Sequence, residues 1–587
     1  MRDQWSSKLG FILAAIGSAV GLGNLWRFPY IAATNGGGAF IFPYLFAILT
    51  AGIPILILEY TLGKTYRSGA PGVFARINRK FEWLGWLQSI TAFLILVYYF
   101  AIVVWVLSYI GFSFGSQWGD DTSAFFYGYL GITDSMTQLG GIRTNLLIPF
   151  LIVWVIAGFI MYRGINKGID IACKICLPIL LVCVVIIFFR GITLPGAMDG
   201  IAYMFTPDWS AIGHADVWVA AYGQVFFSLS IAFAIMLAYS SYLPKDEDVV
   251  NTAFLTACCN HGFEIFAGIG IFSIVGYLAY AQGVGVEDVA AAGIGLAFVV
   301  FPTAISTLPT LNTLFGILFF LSLFTAGVTS LISIAQAVIT PIQDKWELSH
   351  KKAVTIVMVP AFVLSFLFIT GAGLYILDLA DFIANNIGIV AGGVVEVLLI
   401  GWFFRPEEIR KIANDSSNFS VGKWWTWCLK FITVIILGYT FITNIITYFR
   451  DGYEGYPMWV GYIILALMVL ATIVLTCLKG RPGFYETPED APKWQPVGFY
   501  NKLAIGCVIV LAILVTIAQI VAAAGAKTGM STGGNAMMMV ACIGLWGGIA
   551  VALIIMQHQN KPSAKELLKE YEEAEPETAV GMDDEQN

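Results

Sequence analysis

The sequence predicts an all-α, polytopic membrane protein of about 14 transmembrane helices, and three observations predict it. The 587 residues are 58% hydrophobic and only 12% charged, with a mean hydropathy of +0.80, too little polar surface to enclose a soluble core. Apolar runs long enough to cross a bilayer recur throughout the chain. The basic residues between those runs gather in alternate loops, which fixes an orientation.

Taken in order, the candidate spans lie near 9 to 33, 39 to 63, 83 to 113, 146 to 163, 168 to 190, 216 to 242 and 249 to 281. The next are near 311 to 342, 353 to 370, 374 to 403, 425 to 449, 457 to 479, 501 to 525 and 536 to 557. The first reads as a retained span, since no charged n-region and short h-region precede a cleavage site. With both termini cytoplasmic, Lys64, Arg67, Arg76, Arg79 and Lys80 share one inner loop, and Arg405, Arg410, Lys411 and Lys423 another. The outer connections carry only Arg143, Arg190, Arg450 and Lys527, while Asp120, Asp121 and Asp134 make the longest early one acidic. A second long outer connection, 282 to 310, has a helical stretch before Pro302 and would cap an outer vestibule.

Five segments follow: residues 1 to 200 with spans 1 to 5, 201 to 404 with spans 6 to 10, 405 to 480 with spans 11 and 12, 481 to 557 with two appended spans, and 558 to 587, an acidic cytoplasmic tail. The first two segments hold five spans each, so a repeat between them would have inverted topology. A linker with Pro482, Pro488, Pro492 and Pro496 precedes the appended pair. The tail, KELLKEYEEAE onward, reads as a short exposed helix running into disorder. A net charge of -7 argues against a nucleic-acid partner. Cys173 and Cys176 have CxxC spacing inside a span and read as buried structural residues.

The chemistry is expected in the first span of each five-span block. GSAVGLGN, from Gly17 to Asn24, places Gly17, Gly21 and Gly23 in one apolar helix at a density that weakens it. FFSLSIAFA, from Phe226 to Ala234, interrupts the sixth span with Ser228 and Ser230. Backbone left unpaired at membrane depth is costly unless it lines a cavity or binds a ligand. Paired interruptions therefore point to a transporter site at the bilayer midplane, where freed carbonyls hold a cation and a half-helix N-terminus receives an anionic group. Gly17 and Gly21 alone would serve equally as a close-packing face. Asn24 and Arg27, polar within the membrane, favour function.

In the seventh span Asn260 and Glu264 share a helical face, and in the eighth Thr329 and Ser330 interrupt an apolar run, where bonding back to the preceding turn is an equal alternative. Tyr98 and Tyr99 read as packing aromatics from their spacing alone. Asp378 and Asp381 are expected at the outer interface, free in water.

At these residues the chain resembles the neurotransmitter:sodium symporter family, and within it the prokaryotic amino-acid transporters of the leucine-transporter type. The resemblance is carried by KLGFILAAIGSAVGLGNLWRFPYIAATNGGGAFIFPY (Lys8 to Tyr44), VWVAAYGQVFFSLS (Val217 to Ser230), CCNHGFE (Cys258 to Glu264), FTAGVTS (Phe324 to Ser330) and LDLADFIANNIG (Leu377 to Gly388). It covers roughly residues 1 to 480 and implies the leucine-transporter-like fold, a 5+5 inverted repeat with helices 1 and 6 broken at mid-membrane.

By resemblance, two sodium ions are expected. One would be held by the Ala19 carbonyl, the Asn24, Ser228 and Asn260 side chains and the substrate carboxylate. The other would take the carbonyls of Gly17, Val20 and Ala326 and the hydroxyls of Thr329 and Ser330; all-oxygen shells suit a hard cation. The substrate, a small neutral amino acid, would place its carboxylate on the Leu22 and Gly23 amides and the Tyr99 hydroxyl. Its ammonium would meet Ala19, Phe227, Ser228 and Ser230, and Ile95, Tyr99, Phe227, Phe233, Ser330 and Ile334 would line an apolar side-chain pocket. The resemblance implies no organic cofactor.

Gating is implied in the same way. Arg27 and Asp381 would close the outer path above Tyr99 and Phe227, and Arg2 and Asp344, near Trp5 and Tyr242, the inner one. Gly168 and Pro178 reproduce the family's Gly-x9-Pro element. Glu264 falls where chloride-dependent relatives have a small hydroxyl residue, so a carboxylate there would replace the anion; transport is expected to need no chloride and to return a proton through Glu264. Ala232 and Ala234 stand where the leucine transporter has glycines and Ile95 replaces a smaller valine, which suggests a tighter pocket. His261 differs from an acidic residue there and reads as a packed or cytoplasm-facing polar group. Two readings compete with a transporter: a sodium-dependent amino-acid sensor of the same fold, and a membrane-embedded enzyme, for which four scattered histidines give no catalytic cluster.

Overall fold

In the computed structural model the chain divides into two units, Met1–Gln495 and Pro496–Asn587. Residues 4–290 and 293–493 are described here. The two spans expected near 501 to 525 and 536 to 557, the acidic tail and the inner-gate candidate Arg2 lie outside the described residues.

Among the described residues ten helices are long and apolar enough to cross a membrane, and an eleventh span is the bent pair Lys8–Ala19 and Leu22–Thr34, kinked by 52°. The ten are Gly38–Tyr66, Arg79–Phe112, Thr144–Tyr162, Ile165–Ile192, Val249–Gln282, Asn312–Trp346, His350–Ile369, Gly373–Phe403, Lys423–Asp451 and Met458–Cys477. The segment read as a sixth span is instead two short helices, Ala215–Ser228 and Ile235–Ser240, joined by non-helical backbone over 229–234.

Burial decides which spans form the centre. In Arg79–Phe112 and Asn312–Trp346, 78% of the most apolar stretch is buried within the protein, against 17% in Met458–Cys477. The central spans are apolar all round because they touch protein on every side, whereas the peripheral ones are apolar because part of their surface meets lipid. Val155, Phe159, Val182 and Leu467, each more than half exposed, belong to that lipid-facing set. Gly85 and Gly200 mark close backbone approaches, since a Cβ at Gly85 would lie 2.2 Å from the Pro71 nitrogen and one at Gly200 1.8 Å from the Phe272 carbonyl.

The proline-rich stretch read as a linker is seated, over 481–493, on the basic loop after the second span. Arg76 donates to the carbonyls of Phe484 and Gly483 at 3.0 and 3.1 Å, the Tyr66 hydroxyl donates to the Pro492 carbonyl at 2.8 Å, and Lys245 pairs with Asp490 at 2.5 Å. Close by, Lys345 is buried against Glu82 at 2.5 Å and beneath the Trp86 ring. This buried pair has both a hydrogen-bonded partner and an aromatic face to offset desolvation.

Candidate functional site

The glycines of the first span end one helix and begin another. Lys8–Ala19 stops where Val20 leaves helical geometry at φ -75°, ψ 88°, and Gly21, extended at φ -114°, ψ -167°, caps the second half, Leu22–Trp26. Asn24 closes this turn, its Oδ1 accepting the Gly21 N–H at 2.9 Å. In the sixth span the break is sharper: Ser230, Ala232 and Ala234 hold φ of 54°, 68° and 71°. Left-handed backbone costs a residue with a Cβ about 1–2 kcal/mol, so the surrounding contacts must hold three such residues in place.

The two breaks face each other. The Ser230 hydroxyl donates to the Ser18 carbonyl at 2.9 Å, and Ser330, from the eighth span, reaches the same carbonyl at 3.5 Å. Asn24 Nδ2 donates to Asn260 Oδ1 at 2.8 Å and to Ser228 Oγ at 3.4 Å, and Asn260 Nδ2 also donates to Ser228 Oγ. Thus Asn24, Ser228 and Asn260, on three spans, form one buried polar cluster. Two of the glycines are required by their neighbours, since a Cβ at Gly21 would come 2.8 Å from Ser330 Oγ and one at Gly23 would overlap Phe227 at 2.3 Å, whereas one at Gly17 would make ordinary contact with Thr329 at 3.5 Å. Thr329 does bond back to its own helix, at 3.1 Å to the Thr325 carbonyl and 3.0 Å to that of Ala326.

Apolar residues close the space. Ile95, Tyr99, Phe233 and Ile334 are buried, Phe227 is half-buried, and the Tyr99 hydroxyl lies beside Ser330 and the Leu22 backbone. Tyr99 is therefore at the site rather than only packing. Ala232 does not narrow this pocket by its side chain: its methyl points at the tenth span, 3.1 Å from where a Cβ on Gly393 would sit.

On one side of the cluster Arg27 lies 4.9 Å over the Phe227 ring, and among the described residues no ion pair joins it to Asp381. Asp381 is not free in water: Tyr98 donates to it at 2.7 Å and Asn385 at 2.9 Å. Asp378 likewise accepts from Tyr453 and Tyr456 at 3.2 and 3.0 Å. At the other end Trp5 is buried, its Nε1 donating to the Tyr239 carbonyl at 3.0 Å and its N–H to the Tyr242 carbonyl at 3.3 Å. Asp344 accepts from Ser68 and the Gly69 N–H at 3.0 and 2.8 Å. Gly168 sits in a wide turn, Ile165–Ile169, and Pro178 inside the continuous helix Asp170–Ile192.

Glu264 is fully buried, with Gln224 donating to it at 2.9 Å and Tyr44 donating on its other oxygen. His261 is part of this group rather than facing water: its Nδ1 lies 2.5 Å from the Tyr44 hydroxyl and 3.0 Å from Glu264. Tyr44 and Gln224 carried no signal in the sequence, because a tyrosine and a glutamine in apolar helices look the same whether or not a carboxylate faces them.

Residues 2–126 and 116–482 match the family model described as the sodium:neurotransmitter symporter family. The chain is 39% identical to an uncharacterized sodium-dependent transporter of Methanocaldococcus jannaschii over 487 residues, 82% of this chain and 99% of that protein. It is 31% identical to a sodium-dependent dopamine transporter of Caenorhabditis elegans, over 78% of this chain and 82% of the relative. It is also 31% identical to a sodium- and chloride-dependent glycine transporter of Xenopus laevis, over 84% and 72%. Each of these relatives is a transporter, and none is an enzyme. With broken helices facing each other across a buried polar cluster, the chain belongs to the sodium:neurotransmitter symporter family and is a sodium-coupled, multi-pass membrane transporter.

Proposed function

We propose that the protein is a symporter that imports a small neutral amino acid with two sodium ions, by alternating access between two inverted five-span repeats. The observation that carries this reading is the convergence of Asn24, Ser228 and Asn260 at the two helix breaks. Polar side chains from three spans there meet within hydrogen-bond reach, the Asn24 and Asn260 amides donating to Ser228 Oγ and Asn24 also to Asn260 Oδ1, and the Ala19 carbonyl ends the adjoining half-helix. Such a set suits sodium, a hard cation that takes oxygen ligands. The second ion is assigned to the carbonyls of Gly17, Val20 and Ala326 with Thr329 and Ser330. Contact between Gly17 and Thr329 supports that pairing of the first and eighth spans.

The substrate carboxylate is assigned to the N–H groups of Leu22 and Gly23, which begin the second half-helix and carry its positive end, and to Tyr99. The ammonium is assigned to Ala19, Phe227, Ser228 and Ser230. Ile95, Phe227, Phe233 and Ile334 give an apolar lining that disfavours a charged side chain. A glycine transporter and a dopamine transporter among the relatives fit a small amine or amino acid.

Chloride is assigned no part. Tyr44 and Gln224 converge on the Glu264 carboxyl as they would on a free anion, so the protein supplies its own negative charge, with proton return through Glu264. Arg27 with Asp381, and Arg2 with Asp344 beside Trp5 and Tyr242, are the proposed gates. Both termini are placed in the cytoplasm, and two further spans, 501 to 525 and 536 to 557, complete a chain of 14. The test is uptake of a radiolabelled amino-acid panel into proteoliposomes under an inward sodium gradient, with and without chloride. Sodium-dependent, chloride-independent accumulation of a neutral amino acid is expected; saturable sodium-dependent binding without accumulation would instead make the protein a sensor.

A further inference from the structure

The first half-helix is held at its N-terminal end by a fifth-span carboxylate that neither ion site nor substrate site uses. Three residues at the start of Lys8–Ala19 reach three different elements: Trp5 the sixth span, Ser6 the fifth, and Lys8 the loop that follows the sixth. The Lys8 pair with Glu247, at 3.0 Å, has a lysine side chain 49% exposed, and an ion pair so exposed contributes little. Asp170 is different. It opens the helix Asp170–Ile192 directly after the wide turn that holds Gly168, and its side chain is 3% exposed. Its Oδ2 accepts from Ser6 Oγ and from Lys174 Nζ, both at 2.7 Å.

The other oxygen faces the first half-helix. Asp170 Oδ1 is buried with no hydrogen bond among the described residues, and a Cβ on Gly10 would come 2.3 Å from it. The first-turn N–H groups of an α-helix form its positive end, so a carboxylate seated there is stabilised by their combined field without a single dedicated donor. The contact repeats farther along, where a Cβ on Gly17 would meet Leu177 at 3.4 Å. Positions 10 and 17 advance in step with 170 and 177, so the two helices run side by side in the same direction. An acidic first-turn residue paired with a lysine four residues on is common in a helix, but that pairing does not account for burial against Gly10. The half-helix of 12 residues is a rod about 18 Å long, and a restraint at its first turn sets where its last carbonyls lie.

We propose that Asp170 is a positioning residue for the sodium sites, a role that rests on the assignment of the Gly17, Ala19 and Val20 carbonyls to sodium. Its carboxylate, lying on the N-terminal turn of the first half-helix, fixes those carbonyls at the opposite end. Release of Asp170 from Ser6 and from that turn accompanies opening of the path on the Trp5 side. Lys174 stays with Asp170 after release, because both belong to one helix, so the carboxylate keeps a partner when the half-helix swings away.

The test uses the full-length purified protein as wild type, Asp170→Asn, Lys174→Met and Gly10→Ala, with two readouts: backbone hydrogen–deuterium exchange, and thermal stabilisation across a sodium series against potassium. Asp170→Asn keeps the shape and the acceptor for Ser6 but removes the charge. It is expected to speed exchange over residues 4–12, to leave Arg79–Phe112 at the wild-type rate, and to lower apparent sodium affinity about 3- to 30-fold. Gly10→Ala, which drives a methyl onto Asp170 Oδ1, acts in the same direction and serves alone if Asp170→Asn does not fold. Lys174→Met, which removes only the pair within the fifth span, is expected to keep wild-type exchange and affinity. Unchanged sodium affinity in Asp170→Asn, faster exchange confined to Asp170–Ile192, or an equal loss in Lys174→Met overturns the proposal. A wild type that sodium does not stabilise at all overturns the sodium-site assignment, and the positioning role falls with it, so the two failures are told apart.

Discussion

Replacing Asn24 by alanine separates an ion ligand from a mere helix cap. In the structure Asn24 accepts from the Gly21 N–H at 2.9 Å and donates to Asn260 at 2.8 Å, at a position 1% exposed. Truncation strands a buried donor on Gly21 and a buried acceptor on Asn260, each worth about 1–3 kcal/mol. The sodium-free protein should therefore lose about 2–6 kcal/mol, whatever the role of the site. An ion ligand has a second consequence. Sodium bound only to the folded state adds RT ln(1 + [Na]/Kd), about 2.7 kcal/mol at a hundred times Kd, and this increment disappears when Kd rises above the working concentration. The assay is thermal unfolding of the purified protein in sodium against potassium, across a concentration series. Asn24→Ala should unfold at lower temperature in potassium and lose most of the sodium-dependent rise. A variant destabilised in potassium but raised by sodium as steeply as wild type would refute the assignment of Asn24 to the ion.

Three further outcomes follow from the same geometry. Gly23→Ala drives a methyl to 2.3 Å from the Phe227 ring; overpacking of about 1–3 kcal/mol should weaken substrate binding by roughly 5- to 150-fold, and Phe227→Leu in the same chain should recover part of it, as measured by a double-mutant cycle. Thr329→Val keeps the volume but removes a hydroxyl now bonded to the Thr325 and Ala326 carbonyls; it should lower apparent sodium affinity with little change in potassium-state stability, read by the same unfolding series. Asp248 lies outside the spans and caps Val249–Gln282. Burial works against its charge, but the N–H groups of Asn251 and Asn418 outweigh it and hold its pKa below the usual aspartate value. Its contribution is thus present above pH of about 3.9 and lost as pH falls through the lower folded value, so Asp248→Asn, which keeps the cap but removes the charge, should cost at most about 1 kcal/mol at neutral pH after solvent screening and converge with wild type in acid.

What could be read from the sequence divides along a physical line. Composition and apolar runs located the span positions because the bilayer imposes length and hydrophobicity on every segment alike. The break at Gly17 to Asn24 was legible because three glycines and an asparagine are improbable in an apolar helix without a reason. The sixth-span break was legible only by its two serines, since Ala232 and Ala234 are ordinary helix formers and their φ of 68° and 71° is imposed by neighbours. Partnerships were less accessible. Spacing alone reads Tyr98 as a packing aromatic, yet its hydroxyl holds Asp381, and it reads His261 as a packed or cytoplasm-facing polar group, yet the ring joins Tyr44 to Glu264. Residues 217 and 220 positions apart in the chain meet there, and no periodicity encodes such a meeting.

The same distinction bears on why the sixth span carries alanines. Glycine would adopt the left-handed backbone at Ala232 without cost, whereas alanine needs compensation. The compensation is visible in the Ala232 N–H bond to Glu59 and in the glycines of the tenth span that leave room for the Ala232 methyl. Alanine also restricts the unfolded alternatives of the segment, as glycine-to-alanine changes do generally. A segment that is held by an external clamp, rather than permitted by its own flexibility, moves only when the clamp moves. In this chain the second, third and tenth spans supply that clamp through Glu59, Gln88 and Glu396, so the proposed ligands on 228–230 are mechanically tied to the second and tenth spans, to which no ligand is assigned, as well as to the third.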